Sequence, residues 1–243
     1  MDGDVWTTAR GGSHPLAQIE GKPLADATIG IMLGPKNRFG ASYFQITLRD
    51  RTGQARQPLL LGLHHSGPYP GHNWIEVISL TRNLSLPERE IALSETDLES
   101  LFRYLSDLIP SGGHMMVEYE SEEWEETRLS LGCGIPPVAT PLGSMLFRVG
   151  CGVAFRDWYF AEGGSEGPRK LMGYKALNEE HRRARAGEMA AQLRSFIRSE
   201  KQPTCSQLWE AAQERAAQIL SLLSTDDPAS GEAGKKAKEL KGV

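Results

Sequence analysis

Two stretches of the chain gather residues that can do chemistry. In the first, Glu118, Glu120, Glu122, Glu123, Glu125 and Glu126 put six glutamates into nine positions. Crowded carboxylates raise one another's pKa, and a carboxyl poised in that way can act as a general base or attract an amine substrate. On an extended strand Glu118 and Glu120 share one face, with Tyr119 on the other. The alternative is an edge strand leading into a helix whose first turn is loaded with acid, which the helix dipole favours.

The second stretch is Arg156 to Lys175, RDWYFAEGGSEGPRKLMGYK, which holds three adjacent aromatics, three carboxylates, four cations and four glycines. A core strand does not carry so many charges, and a linker does not spend Trp158, Tyr159 and Phe160. The pattern predicts two strands, 153–160 and 169–175, joined by a glycine loop whose backbone can approach a ligand or a neighbouring chain segment closely. Among Gly163, Gly164 and Gly167 at least one is expected at positive φ. Folded back, the loop would gather Asp157, Glu162, Arg169 and Lys170 at one end of a sheet, either as ion pairs or as a ligand site. Trp158, with its aromatic neighbours and the cations Arg156, Arg169, Lys170 and Lys175, could form a stacking platform for RNA. Strand alternation would instead bury one or two of those aromatics in the core.

Other chemistries find no motif. GGSEG at 163–167 is neither a P-loop nor a dinucleotide fingerprint, and it precedes a strand instead of opening a helix. Ser66 and Ser165 lack a GxSxG elbow. His64, His65 and His72 flank SGPYPG, but adjacent strand residues point to opposite faces, so His64 and His65 cannot chelate together and no metal is expected. Cys133, Cys151 and Cys205 are odd in number and form no CxxC pair, so buried reduced thiols are expected. A net charge of −4 over 243 residues argues against a duplex-DNA binder. The acidic start MDGDVW and the lack of a long apolar run predict a cytoplasmic protein without a membrane span.

The elements that must position these residues follow from periodicity. Strands are predicted over 28–33, 42–49, 58–64 and 73–80; in the second, Phe44, Ile46 and Leu48 alternate with polar neighbours. A helix over 95–109 carries Leu98, Leu101, Phe102, Leu105 and Leu108 on one face, with Ser94 or Thr96 as its cap. A strand over 115–120, a helix over about 122–131 and a helix over 141–150 lead to the glycine block. Buried positions should include Ile46, Leu60, Leu98, Leu101, Phe102, Leu105 and Val117. Beyond it, Asn178 caps a helix with Met189, Leu193, Phe196 and Ile197 on one face, and Thr204 or Ser206 starts another with Leu208, Ala212, Ile219 and Leu223 aligned. The division expected is a loose arm over 1–24, an α/β domain over 25–177, an αα-hairpin extension over 178–224, and a disordered tail over 225–243.

GIPP at 134–137, TPLG at 140–143 and FRDWYFAEGGSEGPRKL at 155–171 resemble an uncharacterised prokaryotic domain-of-unknown-function family grouped by fold with the GNAT N-acetyltransferases. The resemblance covers about residues 25–195 and implies an α+β fold: a mixed, mostly antiparallel sheet flanked by helices. The family carries no established activity, but the fold grouping implies acyl transfer from acetyl-CoA or another acyl-CoA to an amine on a small molecule. In that fold a Q/RxxGxG/A loop before the first core helix cradles the pyrophosphate. Here the segment is LTRNLSLPEREIALSETD, 80–97, which has no glycine, so Arg82, Arg89 or helix-start amides would have to serve. Glu118 or Glu120 would deprotonate the amine and Tyr159 would protonate the departing thiolate. The rival expectation is a non-catalytic module that offers the 156–175 surface to a protein or RNA.

Overall fold

The computed structural model describes residues 18–24, 27–36, 42–50, 55–65, 74–81, 95–119, 124–156, 170–200 and 203–225. Seven strands form one sheet: β1 (Ala27–Lys36), β2 (Ser42–Asp50), β3 (Ala55–His65), β4 (Trp74–Thr81), β5 (His114–Glu118), β6 (Gly152–Arg156) and β7 (Lys170–Tyr174). Their order is β1-β2-β3-β4-β5-β7-β6. Every neighbouring pair is antiparallel except β4 and β5. That parallel pair needs a crossover. The crossover contains α1 (Glu95–Asp107), and α2 (Glu125–Gly132) and α3 (Pro141–Arg148) lie between β5 and β6. Two 20-residue helices, α4 (Glu179–Arg198) and α5 (Ser206–Thr225), close the described chain.

The alternation read in β2 is realised in its register. Ile29, Ile31 and Leu33 of β1 stand opposite Leu48, Ile46 and Phe44, and Ile29 and Ile31 are buried. The side chains of Ile46 and Leu60, both expected in the core, lie outside the described residues.

The core of that face is built by α1 and α3. Leu101, Phe102 and Leu105 are buried, with Leu98 and Leu108 packed beside them, against Leu142, Met145, Leu146 and Val149 of α3 and Met115, Val117 and Leu171 of the sheet. Pro141 opens α3, where the Thr140 hydroxyl accepts from the Gly143 amide at 3.1 Å. A side chain at Gly143 would run into the Pro137 carbonyl. Glycine is thus required for the 3-10 turn Pro137–Ala139 to fold onto α3.

A second core joins the C-terminal hairpin to this turn. Met189, Leu193 and Phe196 of α4 and Trp209, Ala212, Ala216 and Ile219 of α5 are buried with Ile135, Val138 and Ala139. The Asn178 side chain accepts from the His181 amide at 2.8 Å and caps α4 as its sequence predicts. Cys133 and Cys205 form a disulfide, with Cα atoms 6.4 Å apart and 72 positions apart in sequence. The expectation of reduced thiols is corrected here. The absence of a CxxC pair excludes only local bridges, whereas the hairpin brings the α4–α5 connection back over the end of α2. Cys151 is free and buried, as expected. No helix among the described residues is long and apolar enough to cross a membrane.

Candidate functional site

Glu118 is the last residue of β5, and Lys170 is the first residue of β7 directly across from it. Their side chains meet, Lys170 Nζ to Glu118 Oε1, at 3.4 Å. The lysine side chain is 6% exposed and the glutamate 16%. Burial pushes the Lys170 ammonium from 10.5 down to about 8, the loss of hydration outweighing the attraction of the carboxylate. Lys170 was expected on a glycine-loop end as an ion pair or ligand group, and Glu118 as a base. The structure brings them together.

On its other side Lys170 is in register with Arg156, the last residue of β6. Opposed residues on neighbouring strands share a face. Glu118 and Lys170 therefore share a row across β5 and β7; the next row holds Met116 and Met172, and the row beyond it His114, Tyr174 and Gly152. All of these lie on the face turned away from α1 and α3, because the alternate residues Met115, Val117 and Leu171 belong to their core. Tyr119 is buried in that same core, so it stands on the other side from Glu118 as strand alternation requires.

Glycine fixes the far row. The Tyr174 ring lies over Gly152, where any Cβ would strike the phenol. The ring also stacks on His181 of α4, with centroids 6.4 Å apart and planes 16° apart. Burial raises the Tyr174 pKa, with Arg185 of α4 opposing the shift and Glu188 adding to it. The start of α4 is thereby held against the edge of the sheet.

A further feature is the way the β4–β5 pairing ends. Their pairing runs from Trp74 and His114 to Val77 and Val117. β4 continues to Thr81, where Leu80 and Thr81 pair with Leu61 and Leu60 of β3. The pairing with β4 thus ends where β5 does, and the Glu118–Lys170 pair stands at that carboxyl end. In parallel α/β arrangements such carboxyl ends are where ligands bind.

The start of α1 has a different character. Glu95 and Asp97 occupy its first turn. Arg148 of α3 reaches back to Glu95 at 3.1 Å and Glu99 at 2.8 Å, and Arg103 adds a contact to Glu99 at 2.9 Å. Glu99 is held below the usual carboxylate range by these arginines against the opposing effect of its burial, the largest single influence.

The remaining expected site residues, Glu120, Tyr159, Arg82, Arg89, Asp157, Trp158, Glu162, Gly163, Gly164 and Arg169, lie outside the described residues. The strand expected over 153–160 is described only as Gly152–Arg156, and that expected over 169–175 as Lys170–Tyr174. Sequence reading did not pair Glu118 with Lys170, because only the β5–β7 register brings the two together.

The chain belongs to the DUF1122 family of proteins of unknown function, whose profile matches residues 36–200. A crystal structure of a protein of unknown function, AQ1966 from Aquifex aeolicus VF5, is similar: 26% identity, TM-score 0.57, covering 82% of this chain and 95% of that one. No curated protein matches the chain.

Proposed function

We propose that the protein transfers an acyl group from an acyl-CoA to an amine, and that transfer takes place at the carboxyl end of β5, beside β4. The observation that carries this reading is the buried Glu118–Lys170 pair at the carboxyl end of β5, which pairs in parallel with β4. An extended, amide-bearing chain such as the pantetheine arm of coenzyme A can lie along a strand edge as a peptide does. The strand order, with its single parallel junction, supports the N-acetyltransferase-like reading of the fold.

In this reading Glu118, or Glu120, accepts a proton from the substrate ammonium, and Lys170 holds Glu118 in place. The neutral nitrogen attacks the thioester carbonyl, forming a C–N bond as the C–S bond breaks. The second amine proton replaces the one that Tyr159 gives to the departing thiolate, so an amide and a thiol leave. The acyl-CoA supplies the activated acyl group.

The residues fit the two ends of coenzyme A unequally. The strand edge suits the arm. The start of α1 does not suit the pyrophosphate: Glu95 and Asp97 place negative charge there, and the Arg148 cation is already engaged by Glu95 and Glu99. Arg82 and Arg89 are left to hold the phosphates. This same acidity favours the second reading, a binding module presenting 156–175 to a protein or RNA partner.

Thermal shift with acetyl-CoA, longer acyl-CoAs and acetyl-pantetheine separates the two. A ligand that binds only the folded chain raises Tm by mass action. An increase with acyl-CoA is the expected result. No shift with any acyl thioester at millimolar concentration would leave the binding module as the reading.

A further inference from the structure

We infer that the Cys133–Cys205 disulfide is a thiol-exchange site, at which an incoming small thiol or dithiol adds to Cys133 and Cys205 leaves. This is independent of acyl transfer. Both cysteines are half-buried at the surface. Gly132 and Gly134, on either side of Cys133, are exposed, and a Cβ at either would meet nothing within 4 Å. Thr204 and Ser206, on either side of Cys205, are exposed as well. A small reagent can therefore reach the bond in the folded chain.

The surroundings suit the opened bond better than the closed one. Two fully buried side-chain atoms, Ser130 Oγ and Trp209 Nε1, find no hydrogen-bond partner among the described residues. Ser130 stands three positions before Cys133 and Trp209 four after Cys205, one helical turn from each. Helical side chains lean toward the N-terminus of their helix, so the Trp209 ring covers the turn that begins at Cys205. Cys133 packs on the same apolar cluster as Trp209. A disulfide sulfur is a weak acceptor, whereas a thiolate is a strong one. Opening the bond thus creates acceptors beside two buried donors that lack them.

The two sulfurs are not equivalent. Cys205 ends the 3-10 turn Pro203–Cys205 that runs into α5, so it stands at the start of a 20-residue helix, and the Thr204 hydroxyl is 3.8 Å from its sulfur. Both features favour a thiolate there. Cys133 is the C-cap of α2, at the negative end of that helix. Cys205 is therefore the better leaving thiolate. The incoming thiolate attacks Cys133 Sγ, a new S–S bond forms to it, and the electron pair of the Cys133–Cys205 bond goes to Cys205 Sγ. A second thiolate of the reagent then attacks the reagent's own sulfur and displaces Cys133, which takes up a proton. The reagent leaves as a disulfide, oxidised by the two electrons that the cysteines gain.

The test treats the native, full-length chain with reduced glutathione, quenches with acid and reads each cysteine by peptide mass spectrometry. Glutathione is expected on Cys133 in excess over Cys205 by on the order of tenfold, with the buried Cys151 unmodified. A second measurement follows alkylation by iodoacetamide at about pH 6, where the free Cys205 of Cys133→Ser should react on the order of tenfold faster than the free Cys133 of Cys205→Ser. The adduct in the parent chain requires no substitution, so it decides the matter even where a variant fails to fold. A bond that glutathione opens only after unfolding in urea, an even split of the adduct, or an adduct mainly on Cys205 would overturn the inference. Equal alkylation of two folded variants would overturn it as well.

Discussion

At the scale of single residues, the Glu118–Lys170 pair is where charge and burial compete. The lysine's ordinary pKa of 10.5 falls to about 8 in the folded chain. Between those two values the unfolded chain binds more protons than the folded one, so stability rises with pH across this window. The penalty for a buried ammonium applies in full below about pH 8. It disappears as pH approaches the unfolded value. Lys170→Met should therefore flatten the dependence of stability on pH between about 8 and 10.5 in urea-unfolding series. An unchanged slope would mean that the amine is well hydrated. Removing one partner alone leaves a buried charge without its counter-ion and should cost about 3–5 kcal/mol, whereas Glu118→Leu with Lys170→Met should come close to neutral. A double variant no more stable than either single one, measured at pH 7, would argue that other groups hold each charge.

At the scale of elements, local signals and long-range ones separate cleanly. The helices were legible because each carries its own stripe and cap: Leu101, Phe102 and Leu105 of α1, Asn178 before α4, Pro141 at the start of α3. The strands were legible as strands for the same reason. What was not legible is register. The candidate site depends on Glu118 meeting Lys170 across 52 positions of chain, and no local pattern encodes such a pairing. The helical stripe yields a sharper prediction. Leu101 is fully buried between α3 and the sheet, so Leu101→Ala should cost about 2–5 kcal/mol. Leu98 sits at the margin of the same core, and Leu98→Ala should cost clearly less. Equal losses in chemical denaturation would show that the stripe is rotated from its assigned face.

At the scale of the whole molecule, the question is what keeps the C-terminal hairpin on the rest. Its apolar face is buried against the Ile135–Ala139 turn, and Arg215 of α5 reaches both the Ala139 carbonyl at 2.8 Å and Glu126 of α2 at 3.0 Å. The Cys133–Cys205 disulfide adds a covalent tie over a separation of 72 residues. That loop contains β6, β7 and α4, so the bond closes the chain that carries the candidate site beside the second core. Closing a loop of this length restricts the unfolded chain by about 4 kcal/mol. Cys133→Ala with Cys205→Ala should thus lower stability by roughly 2–4 kcal/mol, and reductant should do the same to the parent protein. Alkylation of the denatured, unreduced chain should label Cys151 alone, and all three cysteines after reduction. The buried hairpin face should keep α4 and α5 docked even without the bond, so the reduced protein is expected to melt earlier but still in one transition. A reduced protein that melts with the parent, or that loses α4 and α5 in a separate early step, would show that the apolar contact and the disulfide do not share the work in this way.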